Sequence, residues 1–185
     1  MEEKQSKEFR GVFVFVDSAG RTPHPGDLQA LGKGREIADQ LGVYLSAILF
    51  EIPVFTPREW VFHGADRVYL SSQSSAGNIG KKVVSSEALI LKESPEIVLF
   101  SSRFPGNELA GRLAERFRVG LVAGCRNLAM DIENRLLIMT RPAFGGKVSH
   151  DWIIPEGRPQ MATLAEGAFP EGFRDESREG EVISV

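Results

Sequence analysis

Gly11-Val-Phe-Val-Phe-Val-Asp17 is the stretch on which the fold turns. Five consecutive apolar residues end at an acid, followed by Ser18-Ala-Gly20. A half-exposed strand alternates apolar and polar residues. An uninterrupted apolar run instead suits a strand covered on both faces, as in a parallel sheet. Pro25 to Gly42 comes next, with Leu28, Leu31, Ile37, Ala38 and Leu41 on one helical face and Gly42 as terminator. Val43 to Phe50 is a second apolar run. Strand, helix and strand in that order make a βαβ unit.

The same alternation continues downstream. Thr56-Pro-Arg-Glu59 has the form of a capping box with proline at the first helical position, and Gly64 keeps that helix short. Arg67 to Leu70 predicts a third strand, and Ser74 to Gly80 a loop. Lys81 to Glu93 predicts a second long helix presenting Val84, Ala88 and Leu91, with Pro95 as its stop. Glu96 to Ser101 predicts a fourth buried strand. Asn107 is placed to cap a helix over Glu108 to Arg118, whose apolar face carries Leu109, Leu113, Ala114 and Phe117. Val119 to Ala123 and Arg126 to Ile132 predict strands, with Glu133-Asn134 as the turn after them.

A different pattern follows. Leu136 to Thr140, Lys147 to Ile154 and Gln160 to Leu164 are β-prone runs separated by Gly145-Gly146 and by Pro155-Glu-Gly-Arg-Pro159. Turn residues at both reversals predict a three-stranded antiparallel ribbon. Such a ribbon cannot bury both faces alone, so the rest of the chain or a partner must cover it. After Phe169 the chain is rich in Gly, Glu and Arg and reads as a linker, with Val182 to Val185 as the beginning of a strand. The expected organisation is therefore a polar tail over 1–8, an α/β domain over 9–169, and linker plus strand start over 170–185. The final strand would belong to a further domain or pair with a neighbouring chain.

Composition narrows the function classes. A net charge of −3 and a pI near 5.7 give no broad basic surface, which argues against nucleic acid as a partner. One cysteine, Cys125, leaves no internal disulfide and no Cys-rich metal site. His24, His63 and His150 are scattered without ligand spacing. No apolar run reaches the ~20 residues of a membrane span. Met1 to Glu8 is polar, unlike a secretory signal, so the expected compartment is cytoplasmic.

Several short segments share one resemblance. They are Gly11 to Val16, Leu31-Gly-Lys-Gly-Arg-Glu-Ile-Ala-Asp-Gln-Leu-Gly42, Gly64-Ala-Asp-Arg-Val-Tyr69 and Gly106-Asn-Glu-Leu-Ala-Gly-Arg-Leu-Ala114. Thr140-Arg-Pro-Ala-Phe-Gly-Gly146 and Arg158-Pro-Gln-Met-Ala-Thr163 complete the set. In their order and spacing over residues 11 to 169 they resemble the N-terminal domain of the electron transfer flavoprotein alpha subunit. The resemblance implies a three-layer α/β fold like that of the adenine nucleotide alpha hydrolases. It implies a beta-subunit partner and FAD in the full assembly, held chiefly by a C-terminal domain that this sequence does not contain. FAD binding by this chain alone is therefore not expected.

Two candidate sites follow. In open parallel sheets, ligands sit beyond the carboxyl ends of the strands where strand order reverses. Here Asp17, Ser18, Ser101, Arg103 and Asn107 would line that crevice, and a nucleotide phosphate could use the helix N-terminus after Ser102-Arg-Phe-Pro-Gly106. Glu108 competes for the same donors. The second candidate is the ribbon, where Arg141, Phe144 and Trp152 are the expected interface residues. Self-association through the ribbon stands as the alternative to a beta subunit. Gly32-Lys33-Gly34-Arg35 lacks the spacing of a phosphate loop and lies inside a helix. No acid–base or nucleophile set is visible, and Cys125 reads as a small buried residue. The expected role is an electron-carrier component rather than a catalyst; the alternative is a stand-alone nucleotide sensor.

Overall fold

The computed structural model describes residues 8–16, 20–71 and 78–185. Residues 74–77 of the expected Ser74 to Gly80 loop lie outside that set, as do Asp17 and Ser18. In chain order the elements are β1 (Val12–Phe15), α1 (Pro25–Leu41), β2 (Leu45–Leu49), α2 (Arg58–Phe62), β3 (Arg67–Leu70), α3 (Ile79–Glu93), β4 (Ile97–Ser101) and α4 (Gly106–Phe117). Then come β5 (Leu121–Cys125), β6 (Asn127–Asp131), β7 (Leu136–Ala143), β8 (Val148–Trp152), β9 (Gln160–Leu164) and β10 (Glu181–Ser184).

All four residues of β1 are buried, and their side chains feed two different cores. Val12 and Val14 join α1, Trp60 and Val61 on one face. Phe13 and Phe15 join Val83, Leu89, Leu109 and Leu113 on the other. The sheet between these layers has seven strands in the order β10-β3-β2-β1-β4-β9-β5, every pair parallel. Strand order reverses at β1 and β4. This is the three-layer α/β arrangement expected from the sequence.

Helix α1 buries all five residues assigned to its apolar face. Gly42 adopts the left-handed conformation (φ 64°) and its N–H bonds back to the last turn. Gly34 lets the helix settle onto the sheet: a Cβ there would lie 2.8 Å from Val14 and 2.9 Å from Leu45.

Three expectations are corrected. On α3 the buried residues are Lys82, Val83, Ser86, Leu89 and Ile90, while Val84 and Leu91 are more than half exposed. Both stripes have helical spacing. The buried one is disguised by Ser86, whose hydroxyl is satisfied by the Lys82 carbonyl at 2.6 Å. At α4, Pro105 rather than Asn107 takes the cap position, and the Asn107 side chain donates to the Ser102 carbonyl. Glu108 turns along the helix to Arg112 at 2.6 Å. At α2, the Thr56 hydroxyl is 3.4 Å from the Arg58 N–H, and Glu59 binds Arg174 instead of reaching back to Thr56. The capping box is therefore not formed.

The ribbon differs in one strand. The antiparallel sheet is β6-β7-β8, and Gln160 to Leu164 is β9, inserted parallel between β4 and β5. Gln160 and Thr163 gave β9 a half-polar look, yet both are fully buried and satisfied. The Gln160 amide accepts from the Leu137 N–H at 2.7 Å and donates to the Arg135 carbonyl at 3.0 Å. Thr163 accepts from the Gly124 N–H at 2.9 Å. Polar side chains that mate with neighbouring backbone are compatible with a core strand.

The final strand pairs within its own chain, because β10 lies parallel to β3. The segment before it, read as linker, has neither helix nor strand but is strapped to the body. Gly172 runs against Gly32, where a Cβ would meet the Gly172 nitrogen at 2.7 Å. The Asp175 N–H donates to the Phe62 carbonyl at 2.8 Å. Glu59 accepts two bonds from Arg174, and Asp66 accepts from Arg35 at 2.7 Å and Arg178 at 3.1 Å. Charge, not apolar periodicity, holds this strap.

Two predictions follow from this packing. Gly34→Val should destabilise the fold by about 1–3 kcal/mol, because the added carbons overfill the contact between α1 and the sheet. An unchanged urea midpoint would contradict that. The second concerns pH. The hydrogen bond from Arg174 holds the Glu59 carboxyl below its ordinary 4.5. Burial pushes Asp66 up, but bonds from the Leu45 N–H and Arg35 outweigh it and hold it below 3.8. Depressed carboxyl values stabilise the fold above the unfolded values, and the gain is lost as pH falls through the folded ones. Urea unfolding should therefore show stability declining below pH 4.5, and Glu59→Gln should lower stability at pH 7 and make the acid decline shallower. An acid limb of unchanged slope in Glu59→Gln would exclude this origin.

Candidate functional site

Two concave regions coincide with the places the sequence pointed to. The first lies at the carboxyl ends of β1 and β4. Phe15, Val16, Asp27, Phe50, Lys82, Ser101 and Arg103 line it, with Gly106 and Leu109 from the start of α4. Its volume is about 30 Å³, whereas small-molecule sites run to roughly 300 Å³ or more. The reason is close approach: a Cβ on Gly106 would meet the Ser101 carbonyl oxygen at 2.2 Å. Helix α4 is thus seated directly on the end of β4, leaving little gap for a ligand.

The charges in this crevice are matched internally. Asp27 is 2% exposed and lies 3.9 Å from Arg103. Lys82 is 8% exposed, 3.2 Å from Glu51 and 5.6 Å from the centre of the Phe50 ring. A phosphate would have to displace carboxylates that already pair with both cations, at the cost of leaving buried charge unmatched. Ser101 and Arg103 are at the crevice as expected, but Asn107 is not among its lining residues. Volume and charge together count against a nucleotide here.

The second region is the underside of the β6-β7-β8 flap. Side chains directly opposite in an antiparallel pair share a face. The pairs Met130↔Leu137, Leu128↔Met139, Met139↔Trp152 and Arg141↔His150 therefore define one continuous surface. At its root, Leu128, Leu137 and Met139 are at most 1% exposed and belong to the main core. Further out the same face is uncovered: Arg126, Arg141, His150 and Trp152 are all exposed, and so is every residue of β8. With Phe144, Gly145 and Gly146 they line an open groove of about 900 Å³.

Arg141, Phe144 and Trp152, the three residues expected at an interface, thus meet in one groove. Arg126 and His150 join them and were not foreseen, since their side of the sheet depends on the register. The turn at the tip carries three consecutive left-handed residues, Phe144 (φ 51°), Gly145 (φ 69°) and Gly146 (φ 85°). Glycine adopts this conformation freely, but a phenylalanine does so at a cost of roughly 1–2 kcal/mol. Phe144 is 76% exposed, and its ring lies 6.2 Å from that of His150. The strain is not repaid by burial in this chain.

The remaining singled-out residues are dispersed. His24 opens α1, with its Nδ1 accepting from the Gly26 N–H at 3.1 Å. His63 lies beside Glu59 and the strap. Among the described residues, no group of three His, Cys, Asp or Glu could hold a metal ion. Cys125 is fully buried on β5, and burial raises its thiol to about 11, which removes the thiolate a nucleophile needs. No helix among the described residues is long and apolar enough to cross a membrane.

Comparison with known proteins places this geometry in a family. The electron transfer flavoprotein domain model matches residues 12–185. The chain is 35% identical over 167 residues to the electron transfer flavoprotein alpha subunit of Clostridium acetobutylicum, covering 88% of this chain and 49% of that protein. It is 34% identical over 180 residues to the alpha subunit of Thermoanaerobacterium thermosaccharolyticum, covering 95% and 54%. Protein FixB of Clostridium saccharobutylicum is 36% identical over 166 residues, covering 88% and 49%. The chain spans about half the length of these curated relatives. With its parallel sheet and antiparallel flap, it belongs to the electron transfer flavoprotein domain family, as a module of the alpha-subunit type.

Proposed function

We propose that this chain is the docking half of an electron transfer flavoprotein alpha subunit, working with a beta subunit in a cytoplasmic, FAD-containing electron-carrying assembly. One observation carries the reading: the core face of the flap continues past the body of the chain and stays uncovered over Arg141, His150 and Trp152. A sheet face with an apolar root and an aromatic, cationic overhang has the composition of a partner-binding patch. The names of the relatives supply the class of partner.

The crevice between β1 and β4 does not fit a flavin, given its 30 Å³ and its paired charges. When bound in the complete assembly, FAD supplies the one- and two-electron chemistry. The residues of this chain position surfaces; none is assigned a redox or acid–base step. On this reading the chain serves as a carrier component rather than as a catalyst in its own right.

The expected outcome is concrete. Purified alone, the chain is colourless. Mixed with an electron transfer flavoprotein beta subunit, it elutes as a one-to-one complex in gel filtration. Replacing Phe144 and Trp152 together by serine weakens that complex at least about tenfold, as loss of two central aromatic anchors does. Stoichiometric flavin retained by the isolated chain would overturn the reading, and so would a double variant that binds as tightly as the parent.

A further inference from the structure

The flap groove has a chemistry that specifies what lies in it. Arg126, Arg141 and His150 line it, and no carboxylate does, although the chain as a whole carries a net charge of −3. No ion pair within the described residues involves Arg126 or Arg141. Apolar side chains bracket these nitrogens: Val148 and Trp152 lie two residues either side of His150 on the same face of β8, and Phe144 closes the tip. The surface therefore reads apolar, imidazole, apolar along a fully exposed edge strand, with the guanidinium groups of Arg126 and Arg141 beside it.

We infer that the groove takes an extended acidic segment of the partner subunit, with an Asp or Glu carboxylate between Arg126 and Arg141 and apolar residues two positions to each side. This rests on the docking reading above and goes beyond it by naming the chemistry of the occupant. An extended chain repeats its facing side chains every second residue, the same period as β8. An apolar–x–acid–x–apolar segment laid over that face, in line with β8, would place its acid over the row formed by Arg126, Arg141 and His150. A charge-assisted bond from arginine to carboxylate adds direction.

A second copy of this chain is the poorer occupant. A two-fold contact joins identical patches. A two-fold contact that laid one groove over another would set Arg126 and Arg141 of each copy against the same guanidinium groups of the other. Like charges juxtaposed in this way oppose association. The acid-bearing partner removes that conflict, and its carboxylate supplies the counter-charge that the groove lacks.

The test measures the affinity of the full chain for an electron transfer flavoprotein beta subunit at 50 mM and 400 mM sodium chloride, both values being about one regime on either side of physiological screening. Four forms are compared: the parent, R126E/R141E, R126K/R141K and W152S. The proposal expects the double charge reversal to weaken binding at least about thirtyfold at low salt and to invert its salt dependence, the lysine pair to stay within about fivefold, and W152S to weaken binding equally at both salts. All substituted side chains are exposed, and unchanged thermal unfolding checks the fold. If W152S weakens binding and R126E/R141E does not, the flap docks its partner but the acidic occupant is wrong. If none of the variants alters affinity, or the parent does not bind, the docking reading itself falls. A salt-sensitive homodimer in sedimentation that R126E/R141E abolishes would assign the groove to a second copy and overturn the proposal.

Discussion

The insertion of β9 between β4 and β5 is the constraint on which the rest of this structure depends. A chain that simply walked outward along the sheet would have placed β5 beside β4. Instead it leaves after β5, builds the flap, and returns to fill the gap between β4 and β5. The return is secured by polar groups inside the core. Gln160 holds the backbone of β7 at Arg135 and Leu137, and Thr163 holds β5 at Gly124. The Arg135 guanidinium binds Glu96, a carboxylate only 3% exposed, through two bonds of 2.9 and 2.6 Å. An unpaired carboxylate there would be expensive, so the start of β7 has little freedom to shift.

That anchoring explains why the flap is held at its root and open at its end. The strands are longer than the patch of body available to cover them: β7 runs eight residues, and only Leu137 and Met139 on its inner face reach the core. The remainder projects as a continuation of a core surface into solvent. A functional face built in this way inherits its orientation from the main sheet without any contribution from a loop. The sheet crevice, in contrast, is filled by Gly106 and Phe15 and neutralised by Asp27 and Glu51. Of the two locations that the sequence pointed to, this chain has closed one and left the other uncovered.

Much of this was legible in the amino-acid order, for physical reasons. The runs at Val12 and Ile97 contain no polar residue before their ends, so their burial on both faces could be read directly. The α1 face was legible more roughly: Leu28, Leu31, Ile37, Ala38 and Leu41 only approximate one helical stripe, yet all five are buried. What escaped reading shares a cause: polar groups satisfied by partners within the fold, near or far along the chain. Ser86 hid the true face of α3, and Gln160 and Thr163 made β9 resemble a surface strand. The strap over residues 170–180 lacks apolar periodicity because Arg174 and Arg178 reach acids more than a hundred residues away. For the candidate site, Gly145-Gly146 with Phe144 and Trp152 marked the flap. Arg126 and His150 became visible only once strand register assigned them to the inner face.

Hydrogen exchange resolved to short peptides, on the chain alone and with a beta subunit, tests the central claim most directly. The account predicts that the root of the flap, over 136–139, is protected in both states because β9 secures it. Residues 141–154 should exchange fast in the isolated chain and become strongly protected in the complex. Protection confined to the α3 and α4 face, with 141–154 exchanging at the same rate in both states, would contradict it.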